Sequence, residues 1–446
     1  MIILQSDHVK VHRFASRQTQ KNSRERMAPN TKYSTHVFAF IRSSRSVANQ
    51  AMRLIVVICC FAAMTAPTAC VQCKGARNQD VDWWFIKMFA APTASQRTHV
   101  MGNYMYIDSS MQNIPTTLHP STIDDAQPNN PLYNTISHLY QPVPPDVTYA
   151  ILSDQGSVFD QFNRNGLPAF VNKDAAHDEA HSKAIFASSS NPRFHRYYGY
   201  FIMHSVPRFP QCNMNTYTFP QHQAKYGQHL FCVSLPAGGT KVLSEQIPRY
   251  NPNVVKYKAG RFAIRQTAEE FRTFLKGEYV DEDNCEHPAY QPVALQSIGQ
   301  VLFTLFPKTS FDRKGCSIVV YTDYLNYLDI WSRVSSFYGC EFYVQSWLRE
   351  KVHLQGYVQR AGCSAALKIR NIFRTKFFNI VDPKSYNRDH SKYGHSAQTC
   401  ARHAVCFSDL NRTHTHRVRP GMVMCTEALP LLYDFLATNT LRVDRC

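Results

Sequence analysis

The sequence predicts an α/β protein of two similar-sized lobes, with mixed sheets flanked by helices. Three observations lead there. Short apolar runs of strand length alternate with amphipathic helical spacing, and the order strand, helix, strand recurs in both halves. At 446 residues the chain is long enough to bury a full core and to divide into two lobes. One tripeptide, H-S-K, occurs at His181-Ser182-Lys183 and again at His390-Ser391-Lys392, 209 positions later (390 − 181).

The amino-terminal stretch stands apart. Ten Lys and Arg precede Leu54 against Asp7 and Glu25, so eight of the seventeen net positive charges lie there. Leu54 to Ala63 reads L-I-V-V-I-C-C-F-A-A and is followed by M-T-A-P-T-A. An apolar core of that length behind Arg53, ending in small residues, has the form of a secretory leader; a membrane span needs ~20 apolar residues. A buried core helix is the alternative. Met52 suits an initiator, so residues 1–51 read as an over-extended start and 1–69 as absent from the mature chain. The remaining +9 suits a polyanionic partner without requiring one. Of fourteen cysteines, Cys59 and Cys60 would leave with the leader, and the even twelve that remain suit disulfides in an oxidising compartment.

Along the mature chain, Val81 to Lys87 reads as a first strand with Asp82 and Lys87 as its polar members. Gly102 to Asp108 follows as a second, with aromatics at alternating positions. Residues Pro115 to Pro145, rich in Pro, Asn and Ser, read as a long loop around a short helix near Ile136 to Leu139. Tyr149 to Leu152 resumes a strand ahead of Ser153-Asp154-Gln155, and Asp174 to Glu179 leads into the first H-S-K. Gly199 to Ser205 and Leu230 to Ser234 are near-continuous apolar runs, as expected of strands covered on both faces. Thr267 to Leu275 is a short amphipathic helix candidate; Val293 to Phe306 and Tyr324 to Phe337 are longer ones. Glu341 to Trp347 and Ile369 to Phe373 are strand-like.

The repeated tripeptide carries the chemistry. Composition alone yields about one chance H-x-K, and His8-Val9-Lys10 is such an accident. In a strand, residues i and i+2 share a face, so each H-S-K would aim an imidazole and an ammonium together. Ile185-Phe186 after the first copy supports a strand there. Two such pairs meeting at one phosphodiester make a reaction site. A neutral imidazole can attack phosphorus while a protonated one supplies the leaving oxygen's proton. The two lysines are point charges for the non-bridging oxygens. Histidine suits both roles because its ordinary pKa of ~6.5 lets both forms coexist in mildly acidic water. Neither metal nor cofactor is required. The bland alternative is two unrelated surface tripeptides. Likewise His204, ending an apolar run, fits a hydrogen-bonded core residue as well as a site residue. Cys400, Cys406, His395, His403, His414 and His416 cluster, but in no standard zinc spacing.

Larger motifs surround these residues: V-D-W-W-F from Val81, G-N-Y-M-Y-I-D from Gly102 and H-S-V-P-R-F-P from His204. Y-G-Q-H-L-F-C-V-S from Tyr226, D-H-S-K-Y from Asp389 and D-L-N-R from Asp409 follow. With both H-S-K copies, in this order from about Cys73 to Cys446, the chain resembles the deoxyribonuclease II family of the phospholipase D superfamily. The resemblance implies a phospholipase D-like fold of two pseudo-two-fold-related lobes, residues 70–290 and 291–446, each giving one H-x-K to a shared site. It implies an acid, metal-independent endonuclease that cleaves DNA through a phospho-histidine and leaves 3′-phosphate ends. His181, Lys183, His390 and Lys392 carry over as catalytic, and His204 as the family's third histidine. Its cystines would be Cys73–Cys232, Cys406–Cys425 and Cys363–Cys446. A lysosomal or secreted glycoprotein contacting DNA by its backbone, and a homodimer, are also implied. Asn411-Arg412-Thr413 is a formal glycosylation sequon inside D-L-N-R.

Three positions depart from the family pattern. Ala184 stands where Gly is usual, Tyr393-Gly394 follow the second H-S-K where Trp is usual, and Arg417 to Gly421 replace a Gly-rich turn. Two other classes of function stay open at this point. A phosphodiesterase for another substrate, such as a phospholipid headgroup, would want an apolar acyl groove. A non-cleaving, secreted DNA-binding paralogue would keep the charge with a misaligned pair.

Overall fold

Apolar runs become strands covered on both faces. The computed structural model describes residues 71–90, 101–140, 142–154, 180–191, 196–210, 216–276, 291–308, 329–347, 369–378, 380–382, 388–413, 416 and 419–443. The first sheet holds β1 (Trp83–Met88), β2 (Tyr104–Asp108), β3 (Val147–Ser153), β4 (Lys183–Asn191), β5 (Arg196–His204), β6 (Gln228–Pro236) and β7 (Val254–Lys258). Its order is β2-β1-β6-β5-β4-β3-β7, with every neighbouring pair antiparallel. The second sheet begins with β8 (Val293–Gln296), β9 (Leu302–Lys308), β10 (Phe342–Gln345), β11 (Ile369–Phe377) and β12 (Ile380–Asp382). It is completed by β13 (Tyr393–Ser396), β14 (Val405–Ser408), β15 (Gly421–Thr426) and β16 (Thr440–Val443). The order is β12-β11-β10-β13-β14-β15-β9-β8, with β16 also on β11. Only β10 and β11 pair in parallel. Mixed pairing is therefore confined to the second sheet among the described residues.

The period of two along each strand builds the layers. Phe85, Phe201, Phe231 and Val233 of the first sheet share one core with Phe303, Leu305, Phe407 and Met424 of the second. At its centre Phe231 stacks on Phe407, ring centroids 3.9 Å apart. The intervening residues Trp84, Ile86, Tyr200, Ile202 and Leu230 face the outer core of the first sheet. Phe306, Val423 and Cys425 do the same for the second, against Trp331 and Val334. With both faces packed, even antiparallel strands read as unbroken apolar runs.

Helices are few. The described ones are α1 (Pro131–Ile136), α2 (Ala237–Gln246), α3 (Ala263–Gln266), α4 (Glu269–Lys276), α5 (Ile330–Tyr338) and α6 (Pro430–Thr438). The Asn130 carboxamide oxygen caps α1 by accepting from the Leu132 and Tyr133 N–H groups, and Asp329 caps α5 by accepting from Trp331. Two expectations need correction, and one is met over the residues described. Val293 to Phe306 is not a helix but the hairpin β8–β9. The expected helix Tyr324 to Phe337 is seen as α5, ending at Tyr338, while 324–328 lie outside the described residues. The H-S-K copies stand at strand mouths rather than within strands: Lys183 opens β4, and Lys392 immediately precedes β13.

Cys73–Cys232 and Cys406–Cys425 are disulfides, as the resemblance implied, and Cys340–Cys400 is a third that it did not. These bonds take Cys400 and Cys406 out of the cluster considered for a metal, and no group of metal-holding side chains is found among the described residues. Cys363, Cys446 and the leader lie outside the described residues. No helix among those described is long and apolar enough to cross a membrane.

Candidate active site

The two H-S-K copies are fixed by each other's half of the chain. The His181 N–H donates to the Pro420 carbonyl at 3.2 Å, and the His390 N–H donates to the Gly227 carbonyl at 2.7 Å. Gly227 also donates to the Arg388 carbonyl, forming a parallel bridge to Asp389. A Cβ at 227 would meet Asp389 Oδ1 at 2.6 Å, so the Y-G-Q motif needs its glycine for this close approach. Lys87, buried on β1, reaches across the seam: its Nζ lies 2.6 Å from Asp389 Oδ2 and donates to Ser391 Oγ at 3.0 Å. The N–H of Lys392 donates to His229 Nδ1 at 3.0 Å. Three residues of the first half thus hold the second tripeptide.

Both serines turn inward and are buried, while both histidines stay partly open. His181, Lys183, His390 and Lys392 line one cavity of ≈ 290 Å³, together with Tyr226 and Trp347. Four of the five expected catalytic residues meet there. The fifth does not reach the wall. His204 ends β5 fully buried, and neither ring nitrogen has a hydrogen-bond partner of good geometry. Burial, then the charges of Lys183 and Lys392, lower its pKa to about 3.

His181 has a defined protonation pattern. Its Nδ1 lies 2.7 Å from the Asp409 carbonyl, which can only accept, so Nδ1 carries the hydrogen. Burial, followed by Lys183, Lys392 and Arg419, holds its pKa well below the usual range. In the neutral form that this favours, the lone pair is on Nε2, which lies 3.1 Å from Asp154 Oδ2. Lys183 Nζ sits 3.4 Å from the same Nε2 and 2.6 Å from Asp154 Oδ1. His416 packs edge-on against His181, centroids 4.1 Å apart, with its Nδ1 accepting from the Asn411 N–H. His390 is clamped between the rings of Tyr226 and Trp347, at 4.6 and 4.7 Å.

The lysines are buried cations in each other's field. Lys392 Nζ donates to the His390 carbonyl at 2.8 Å. Burial, then Lys183, lowers the Lys392 pKa to about 7. Burial also lowers Lys183, opposed by Asp154. Asp409, buried beside them, is pushed up to about 6 by burial. Asn411 is 5% exposed and lines the cavity, which leaves no room for a glycan on the folded chain.

Sequence reasoning missed Asp154, Trp347, His416, His229 and the pairing role of Lys87. Asp154 could have been suspected only if the β3–β4 register were known, since Ser153 pairs with Lys183. Tyr226, His229 and Asp409 lie inside the motifs already singled out, and His416 inside the cluster considered for a metal.

Comparisons with known proteins give the chain's family and relatives. The family model for Deoxyribonuclease II matches residues 72–446. The chain is similar to deoxyribonuclease-2-alpha of Rattus norvegicus, 25% identical over 377 residues, covering 83% of this chain and 93% of that protein. It is also similar to deoxyribonuclease-2-beta of Mus musculus, 24% identical over 363 residues, 80% of this chain and 88% of that protein. Cell-death-related nuclease 7 of Caenorhabditis elegans is 22% identical over 406 residues, 89% of this chain and 93% of that protein.

Proposed function

The chain belongs to the deoxyribonuclease II family, and on that premise we propose that it is an acid DNA endonuclease using both H-S-K copies on one phosphodiester. His181 is the nucleophile. The observation that carries this is its Nδ1 hydrogen bond to the Asp409 carbonyl, which leaves the Nε2 lone pair toward the cavity. Nε2 forms a bond to phosphorus as the bond to the 5′ oxygen breaks. Protonated His390 gives that oxygen its proton, leaving the DNA 3′ end on a phospho-histidine. Water then attacks phosphorus, its proton going to His390, and the 3′-phosphate leaves with His181 restored. Lys183 and Lys392 hold the non-bridging oxygens throughout.

The charges set a pH window. His181 is neutral above its strongly lowered pKa, and Lys392 is charged below about 7. Both conditions hold only in acid. His204, buried and in the field of Lys183 and Lys392, acts only indirectly. The reading includes two pseudo-two-fold-related, phospholipase D-like lobes meeting near residue 290 and a Cys363–Cys446 cystine. It also includes a homodimer and a lysosomal or secreted location after leader removal; the three described disulfides support the oxidising route. Plasmid nicking at pH about 5 with EDTA present tests it, with 3′ ends that a polymerase extends only after phosphatase treatment. Retarded but intact DNA would instead mark a non-cleaving paralogue.

A further inference from the structure

Asp154 follows β3 and has no part in the steps above. Its backbone N–H donates to the Ser182 carbonyl at 2.9 Å, which fixes it beside the first tripeptide. Its carboxylate, 4% exposed, lies 2.6 Å from Lys183 Nζ and 3.1 Å from His181 Nε2. Because Nδ1 holds the imidazole hydrogen, a carboxylate oxygen here faces a lone pair rather than a donor. Two acceptors make no hydrogen bond, but this is the place an attacked diester must occupy, with reacting atoms roughly 3–3.5 Å apart.

We infer that Asp154 is an internal stand-in for the substrate phosphate, holding the anion subsite of Lys183 until a diester displaces it. The inference rests on the assignment of His181 and Lys183 to the diester. In the empty site the carboxylate offsets two buried lysines that would otherwise face each other. Once a diester enters, two anions compete for Lys183, and like charges in one buried site oppose each other. The other groups facing this spot are Lys392, Arg419, His204, His416 and Asp409. None of them reaches both Lys183 Nζ and His181 Nε2 as Asp154 does. Exchange is therefore easier once the charge at position 154 is removed by substitution.

The test is binding of dimethyl phosphate, which keeps one negative charge across the working range, to the full mature chain and to Asp154→Asn. The variant should bind about tenfold tighter at pH ~6, because the anion already seated on Lys183 is gone. Its KM for plasmid should fall in step. Equal or weaker binding by a variant that melts as cooperatively as wild type overturns the inference. Should Asp154→Asn not fold, Asp154→Ser is judged by the same criterion. If neither folds, a structure of the wild-type chain with dimethyl phosphate must show the Asp154 carboxylate moved off Lys183 Nζ, and an unmoved carboxylate with bound phosphate overturns it. The assay needs no turnover, so a chain that fails to nick plasmid still gives a separate answer for Asp154.

Discussion

Lys392 is the residue whose charge follows the medium most closely. Its pKa is lowered to about 7, first by burial and then by Lys183, so it is charged below that value and neutral above. Transition-state charge stabilisation should therefore fade as the pH rises through about 7. Arginine stays charged over the whole range. Lys392→Arg is expected to move the alkaline limb of the pH–rate profile upward by at least one unit, even if the maximum rate falls. An alkaline limb unchanged in position would assign it to another group. At this scale the sequence was legible wherever a motif repeated, since His181, Lys183, His390 and Lys392 were readable from spacing. Asp154 and His416 were not, because each reaches His181 from a segment that sequence distance gives no reason to place there.

Strand β1 shows how an element can be read correctly while its purpose stays hidden. Val81 to Lys87 was legible as a strand, and Lys87 as its polar member. Its partner, Asp389, lies 302 residues away. Both side chains are essentially buried, so removing one strands the other's charge. Lys87→Met should cost roughly 3–5 kcal/mol in a denaturant melt, and adding Asp389→Asn should recover much of it. A loss too small to measure would contradict the clamp. The hairpin β8–β9 failed in the opposite way. Its apolar residues Leu295, Ile298, Val301, Leu302 and Leu305 fall three and four apart and imitate a helix face. The turn at Ser297 to Gln300 breaks that spacing, with Ser297 accepting from Gln300 and Gln300 at φ +66°. Gly299 was the punctuation to notice: its N–H donates to Asp82, just ahead of β1 in the other sheet.

The whole molecule joins two sheets over one core, and the sequence showed strands without showing which sheet each would join. Apolar runs report burial on both faces, not partner or direction, so antiparallel pairing in the first sheet was not readable. The same burial has a cost in acid. His138 and His395 are buried with pKa values lowered to about 4, and His204 to about 3, in each case first by burial. Below pH ~6.5 the unfolded chain takes up protons that these folded sites refuse, so stability falls as the pH drops from about 6.5 toward 4. Asp409 works the other way, gaining stability as the pH falls from about 6 to 3.8. The buried histidines with lowered pKa values outnumber the carboxyls raised by burial, which predicts a lower Tm at pH ~4.5 than at pH ~7. An unchanged or higher Tm in acid would mean that the buried imidazoles are rehydrated.

The central claim is that the two halves share one diester, with His181 attacking and His390 protonating. His181→Ala and His390→Ala should each lose activity by several orders of magnitude, and the double change should be little worse than either. The most direct measurement uses His390→Ala with a diester carrying an activated leaving group, which needs no proton to depart, followed by peptide mass spectrometry. The account predicts phosphate on the His181 peptide in that variant and none on His390 in His181→Ala. Phosphate on His390 in His181→Ala, with none on His181 in the converse variant, would contradict it.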